Sequence, residues 1–513
     1  MIPKGAFPKM SKNNKVSVAG ANEAARKQKR NSIIITVCVI LAAVAVLGLA
    51  VYNYIGDDIS GIILRNSTVA ETDHWEVNGA MMAYMYSANV QSYSYYFSLL
   101  SVDTTVSLKD QLCPLASDVN GTWYDYLMDT TKSQAKELIT FAEGAKANGM
   151  TLTAEEEASL DAAVANIEAE AATYGYPNVK TYLLAMTGNN IKVSDVRDCL
   201  ELNLYANKYY TQIIDSTECT AEARESYYAE NPDAFNFIDI YKYDILSSDF
   251  EEYGEDGNLV YSVTEQSKMA KEHAEELAAI TSTEEFYSTI KLEIAKVTEQ
   301  RESETAEQYQ ERLDALHASA RSEFTPVSGL SEAVAKWAKD AKEGDTFVDG
   351  VEGATKYTVY MLVKPAYRNE KPARDVRHIL FSNETYSDDA KAQEVLAEFV
   401  AAGATEAEFE RLAKEYSYDS SAEDGGLIEN VTEGQMVEEF ENWLFDETRK
   451  VGDYGMVETE YGWHLMFYPG EGDLTSWEVA ANTAIKNKAA DDYLVANGAA
   501  ITFNEKAIAK IKA

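Results

Sequence analysis

Proline is scarce in this chain, nine in 513 residues, and cysteine is scarcer, with four. So little proline leaves small scope for irregular linkers and fits a helix-rich chain. Cys38 lies inside an apolar run, and Cys113, Cys199 and Cys219 stand at no spacing that suits a metal-ligand set or a redox pair. A disulfide framework is not indicated; a Cys199–Cys219 bridge is open but unspecific and would leave an odd thiol. Positive charge is short as well. The net charge is −40, and no basic patch interleaved with aromatics follows residue 60, so a nucleic-acid partner is disfavoured. The acidity is read first as a solubility device.

What is present is globular. Hydrophobic residues make up 46% of the chain and aromatics 11%, with 33 tyrosines suited to half-buried surfaces. The length is too great for one core, so an anchor and two to three domains are expected. Residues 33–51, IIITVCVILAAVAVLGLAV, are apolar, free of charge and proline, and long enough to cross a bilayer as a helix. Lys4, Lys9, Lys12, Lys15, Arg26, Lys27, Lys29 and Arg30 precede it against the single acid Glu23, which predicts a cytoplasmic tail over 1–32 and an anchor over 33–55. A cleaved signal peptide shares the charged front. The length of the run and the lack of a small-x-small site after it favour an uncleaved anchor, and Cys38 at mid-span does not fit a lipoprotein signal. The rest of the chain then lies outside the membrane.

Residues 56–235 read as successive amphipathic helices. Leu138, Phe141, Ala142 and Ala145 share one face, with Gly149 just past the end, and Thr153 with Glu156 has capping-box spacing. At residue 237 the texture changes to FIDIYKYDIL, an alternating strand signal, and YTVYMLV at 357–363 supplies a second. The same order recurs as DVRHILF at 375–381, two helices, and WHLMFY at 463–468. Overlaying the halves matches KWAKDAKEGDTF at 336–347 with NWLFDETRKVGDYG at 442–455, and sets His464 on Tyr360 and His378 on Asp244. The expectation is one α+β fold in two copies, 236–368 and 369–474, the first without the histidines. Residues 475–513 carry a helix that would pack back on the helical domain.

In the second copy Ala392, Val395, Leu396 and Phe399 mark one helix face, stopped by Gly403, while Thr405 and Glu408 box the start of the next helix. VRHILF at 376–381, FERLAKEYSYDSSAEDGG at 409–426, GQMVEEFENWLF at 434–445 and VETEYGWHL at 457–465 keep the order and spacing of the blocks of one family. Here the chain resembles the parvulin-type peptidyl-prolyl cis/trans isomerases. Its wider layout resembles the PrsA and SurA group of extracytoplasmic foldases. The resemblance implies that His378 and His464 are the family's paired histidines, that Thr459 is the hydroxyl joining them, and that Asp419 holds the position of Cys or Asp. Ile428, Met436 and Phe440 would form the apolar proline pocket. It implies no nucleophile, cofactor or metal; two His and an Asp also suit zinc, but a hydrogen-bond network is the expected use.

Each residue has a plainer explanation. A lone strand histidine is usually structural, Met436 and Phe440 at i and i+4 make an ordinary helix core stripe, and Asp419 before two serines is a helix cap. The matching blocks decide between them. One departure stands out: the family's Gly-Gly-Asp-Leu-Gly is Gly425, Gly426, Leu427, Ile428 and Glu429 here, so a positive φ at the last position would strain the loop. The loop at 382–390, SNETYSDDA, is acidic with no Lys or Arg, which predicts unmodified X-Pro clients rather than phosphorylated ones. The function implied is an anchored isomerase and chaperone acting on unfolded or newly exported proteins. The alternative is a holdase or assembly factor with binding modules only.

Overall fold

The computed structural model describes residues 59–512. The expected cytoplasmic tail and membrane anchor lie outside the described residues. Among the described residues no helix is long and apolar enough to cross a membrane. The chain divides into two compact units, one of residues up to 216 together with 489 onward, the other of residues 217–488.

The first unit is helical, opened by a small antiparallel pair, β1 (Thr68–Glu71) and β2 (Glu76–Asn78). Its longest helices, Trp123–Ala147 and Val193–Ser216, each show one apolar stripe. Phe141, Ala142 and Ala145 are buried as the spacing predicts, and Gly149 takes φ 71° just past the helix end. Both Thr122–Asp125 and Thr153–Glu156 form reciprocal capping boxes, which satisfy donors that a helix start leaves open. The chain end closes this unit: Ala490 and Ile501 enter the core around Ile139 and Leu202, and Asn504 N–H donates to Val69 O at 2.8 Å. Cys113, Cys199 and Cys219 are free thiols, so no Cys199–Cys219 bridge forms.

The second unit holds two four-stranded antiparallel sheets. One contains β3 (Asn236–Leu246), β4 (Arg321–Pro326), β5 (Thr346–Asp349) and β6 (Lys356–Arg368), in the order β4-β3-β6-β5. The other contains β7 (Pro372–Ser382), β8 (Leu427–Val431), β9 (Tyr454–Thr459) and β10 (Gly462–Thr475), in the order β8-β7-β10-β9. The two orders are the same, copy for copy. Each sheet covers a helical layer, the second through Val395, Phe399, Phe409 and Leu412 against Ile379, Phe381, Leu465 and Phe467. Burying side chains of this size is worth about 1.5–3 kcal/mol apiece, which makes this layer the main support of the strands that carry the histidines.

The ladders correct the register of the repeat. His378 N–H donates to Gly426 O as Lys242 N–H donates to Ala320 O, and Asn383 N–H to Tyr461 O as Ser247 N–H to Thr355 O. Gly452 N–H donates to Tyr468 O as Gly344 N–H does to Leu362 O. These equivalences set His378 on Lys242 and His464 on Thr358. The expected partners, Asp244 and Tyr360, are each two residues away. A slip of two keeps every side chain on its face, so the apolar pattern alone does not reveal it.

Candidate active site

Central strands β7 and β10 bring His378 and His464 together, because neighbouring positions of an antiparallel pair on one face meet across the ladder. Their Nδ1 atoms are 3.1 Å apart, and the rings are nearly parallel at 14°. Both are buried, at 4% and 5% exposure. Thr459, at the end of β9, sets its Oγ1 2.9 Å from His464 Nε2. At the other end, His378 Nε2 lies 3.2 Å from Asp419 Oδ1. That contact is close but off the line of a hydrogen bond, which leaves Nε2 buried without an aligned partner.

Asp419 caps the short 3-10 helix Ser420–Asp424 and faces His378 as well, so the cap and the site role fall on one carboxylate. It accepts from both the backbone N–H and the hydroxyl of Ser421. The His378 imidazole beside it, with help from Ser421, holds its carboxyl well below the usual range despite partial burial. An ionised carboxylate only accepts, which assigns the Nε2 proton to His378. His378 Nδ1 then accepts from His464 Nδ1–H, and His464 Nε2 accepts from the Thr459 hydroxyl. The Nδ1–Nδ1 link and the Thr459 link then each have one donor and one acceptor. Burial, with the neighbouring His378, lowers the His464 pKa to about 4, so this ring is neutral at neutral pH.

The loop before β8 is built around this line. Arg377, the residue before His378, donates to Asp424 O and Gly425 O at 2.9 and 3.0 Å while its Nε pairs with Glu406. Gly425 and Gly426 take φ 67° and 75°, and a Cβ on Gly426 would stand 2.3 Å from His378 O. Glu429 is not among the residues with positive φ. The left-handed position is Asn430, at φ 54°, a residue type that tolerates it, with its N–H donating to Asp375. The strain expected at Glu429 is therefore absent.

Phe440, on the helix Glu438–Leu444, sets its ring edge-on to both imidazoles, 5.5 Å from His378 and 5.7 Å from His464. It belongs to an apolar cluster with Val376, Val431, Val457 and Met466, against which the partly exposed Ile428 and Met436 lie. All seven residues singled out in the sequence thus gather at one face of the second sheet. The sequence reading missed Met466, Ser421 and Arg377. Met466 is the ladder partner of His378, and a correct strand register finds it. Among the described residues no three His, Cys, Asp or Glu side chains group as a metal would need.

The first sheet has no such line. Lys242 is exposed and Thr358 donates to Asp244 Oδ1 at 2.6 Å. A single residue, Ala320, joins the helix Ala306–Ser319 to β4, where the second copy has Ser417 to Gly426 and Asp419 among them.

Comparison with known proteins gives a match of residues 360–467 to the PPIC-type PPIase domain. Foldase protein PrsA 1 of Listeria monocytogenes serotype 4b (strain F2365) is 33% identical over 105 residues, 20% of this chain and 33% of that protein. The chain thus spans about a third of the length of the curated relatives it matches. Among solved structures, PrsA of Bacillus subtilis is 14% identical with a TM-score of 0.26, covering 79% of this chain and 92% of that one. A chain described with the SurA-like chaperones PEB4 and Cj1289 of Campylobacter jejuni is 23% identical with a TM-score of 0.17, over 25% and 50% of the two chains. Within residues 360–467 this chain carries a parvulin domain of the PPIC type, and there it resembles the PrsA foldases.

Proposed function

We propose that this chain is a membrane-anchored, extracytoplasmic foldase: a peptidyl-prolyl cis/trans isomerase at residues 369–474 joined to parts that hold unfolded, newly exported proteins. The observation that carries the reading is the line Thr459, His464, His378 and Asp419 pressed against Phe440. The anchor rests on the apolar run at 33–51, and the outward placement on the basic residues before it.

Resonance gives peptide rotation a barrier of about 18–20 kcal/mol, so a catalyst must favour the twisted, less conjugated bond. Ile428, Met436 and Phe440 offer the proline ring an apolar seat. The polar line beside it is arranged before substrate arrives, and fixed dipoles of this kind favour the changed charge on the carbonyl and nitrogen of the twisted state. No bond to the protein forms and no metal is needed. The gain is rate, because uncatalysed isomerisation takes about 10–100 s.

The test is isomerisation of an Ala-Pro peptide by the full chain and by His464→Ala. Catalysis that falls in the variant supports the reading; no catalysis in the unaltered chain would overturn it. One observation favours a second reading, a holdase. The first copy keeps the sheet without the polar line, so the fold persists here where isomerisation has no apparatus. A His378→Ala, His464→Ala double variant that matures clients as well as the unaltered chain would select the holdase.

A further inference from the structure

A tyrosine-lined cavity of the helical unit lies far in sequence from the histidines. It encloses about 580 Å³ between the helices Gly79–Ser92, Ala154–Thr173 and Val179–Thr187, and four of its lining residues are Tyr84, Tyr174, Tyr176 and Tyr182. That volume lies in the range of pockets that take a large side chain with some backbone. Tyr174 and Tyr182 are parallel to within 8° with ring centres 6.2 Å apart, and Tyr176 meets Tyr182 edge-on at 5.3 Å.

The polar end is anionic. Glu170 lines the cavity and accepts from the Tyr182 hydroxyl at 3.0 Å, and no Lys or Arg lines it. The helix that brings Glu170 ends three residues later and has no basic residue in its last turn, although that end carries the negative pole of the helix. A carboxylate near that pole beside several tyrosine rings favours a cation, because ring faces attract positive charge as well. Among the exposed lining residues, Tyr174 (70% exposed) and Met186 (44%) present apolar surface beside Glu170 and Gln91. A free small cation would leave that surface and most of the volume unused, whereas a polypeptide fills both.

We propose that this cavity binds a lysine or arginine side chain of an extended polypeptide, with the flanking apolar residue on Tyr174 and Met186. Charge complementarity selects this occupant: the chain carries −40 overall, and the cavity itself offers one carboxylate and no cation. The site rests on the client-holding half of the proposed function and gives it a preference for basic segments.

The experiment measures binding of short fluorescein-labelled, proline-free peptides to the full chain in detergent by anisotropy. One peptide has Leu-Lys-Leu at its centre and its twin has Leu-Gln-Leu. The lysine peptide should bind about fivefold tighter, the scale of one cation at aromatic faces. Glu170→Gln and Tyr174→Ala, both at exposed positions, should each abolish that preference while keeping the circular dichroism spectrum. Equal binding of the two peptides, or a preference retained in either variant, overturns the proposal, since general attraction to an acidic protein would survive both changes. The peptides lack proline, so a failure of the isomerase reading leaves this result untouched. If the chain fails to suppress client aggregation yet discriminates the peptides, the holding role falls and the cavity stands.

Discussion

The imidazoles of His378 and His464 face each other nearly in parallel with their Nδ1 atoms 3.1 Å apart, so one ring must donate and the other accept. Asp419 biases which one, because an ionised carboxylate 3.2 Å from His378 Nε2 electrostatically favours the proton on that nitrogen. The Thr459 hydroxyl then donates to His464 Nε2 while its oxygen accepts from the Tyr461 N–H at 3.2 Å. Removing it with Thr459→Val should lower kcat/KM for an Ala-Pro peptide about tenfold, the scale of a buried acceptor left unpaired. Thr459→Ser keeps the donor and should remain near the unaltered value. Equal losses in both variants would show that the hydroxyl acts only through packing.

The pH profile should test the neutral state of His464. With His464 lowered to about 4 by burial, this ring stays neutral from pH 8 to about 5. The part of the isomerisation profile that depends on His464, isolated by NMR exchange on the unaltered chain and on His464→Gln, should be flat over that range and fall as pH approaches 4. An inflection near 6.5 that belongs to His464 would refute the neutral ring. The stability effect has the same origin. The unfolded chain takes up the proton near 6.5 and the folded chain only near 4, so stability is lost as pH falls through that interval. His464→Gln should remove that part of the slope.

Gly426 tests the loop that delivers Asp419. Its φ of 75° and the 2.3 Å approach of an added Cβ to His378 O make Gly426→Ala strained twice, at about 1–3 kcal/mol for the backbone alone. Thermal unfolding should show that loss together with reduced isomerisation. Gly434→Ala is the control, with φ 92° and no neighbour within 4 Å, and should pay for the backbone only. If the two variants melt alike, the close approach does not govern the loop.

Much of this site is legible in the sequence, because paired strands, helix stripes and family blocks are local signals. The strands around His378 and His464 follow from alternation, whereas Met436 and Phe440 do not share a helix stripe, because the helix starts at Glu438 and Met436 stands before its cap. What escapes is whatever depends on the ladder. A period-two pattern is blind to the slip of two residues at β3 and β6, and it does not show Met466 as the ladder partner of His378. Side-chain competition is the other gap: Thr405 accepts from Glu408 N–H as a cap should, but the Glu408 carboxylate turns to Arg411 instead of closing the box. Neither the Arg377 grip on the Asp424 and Gly425 carbonyls nor the Ser421 donation to Asp419 has a sequence signature of its own.

An acidic loop after β7 would disfavour phosphorylated clients. The loop after β7 places Glu384, Asp388 and Asp389 beyond Ser382, and the loop holds no Lys or Arg to pair with a phosphate. Peptides with Ser-Pro should therefore turn over at least as well as their phosphoserine counterparts. A strong preference for the phosphorylated series would reverse the assignment.

The corrected register makes the last prediction sharp. If two histidines were all that the first copy lacks, Lys242→His with Thr358→His would restore a second isomerase. It should not. Ala320 alone spans the connection that carries Asp419 in the other copy, and aligning the helix starts Glu332 and Glu438 places Val334 where Phe440 stands, so neither the carboxylate nor the aromatic wall is available. In a His464→Ala background the double substitution should leave Ala-Pro isomerisation at the background rate. Activity recovered there would mean that a histidine pair is sufficient, and that Asp419 and Phe440 are incidental to the chemistry.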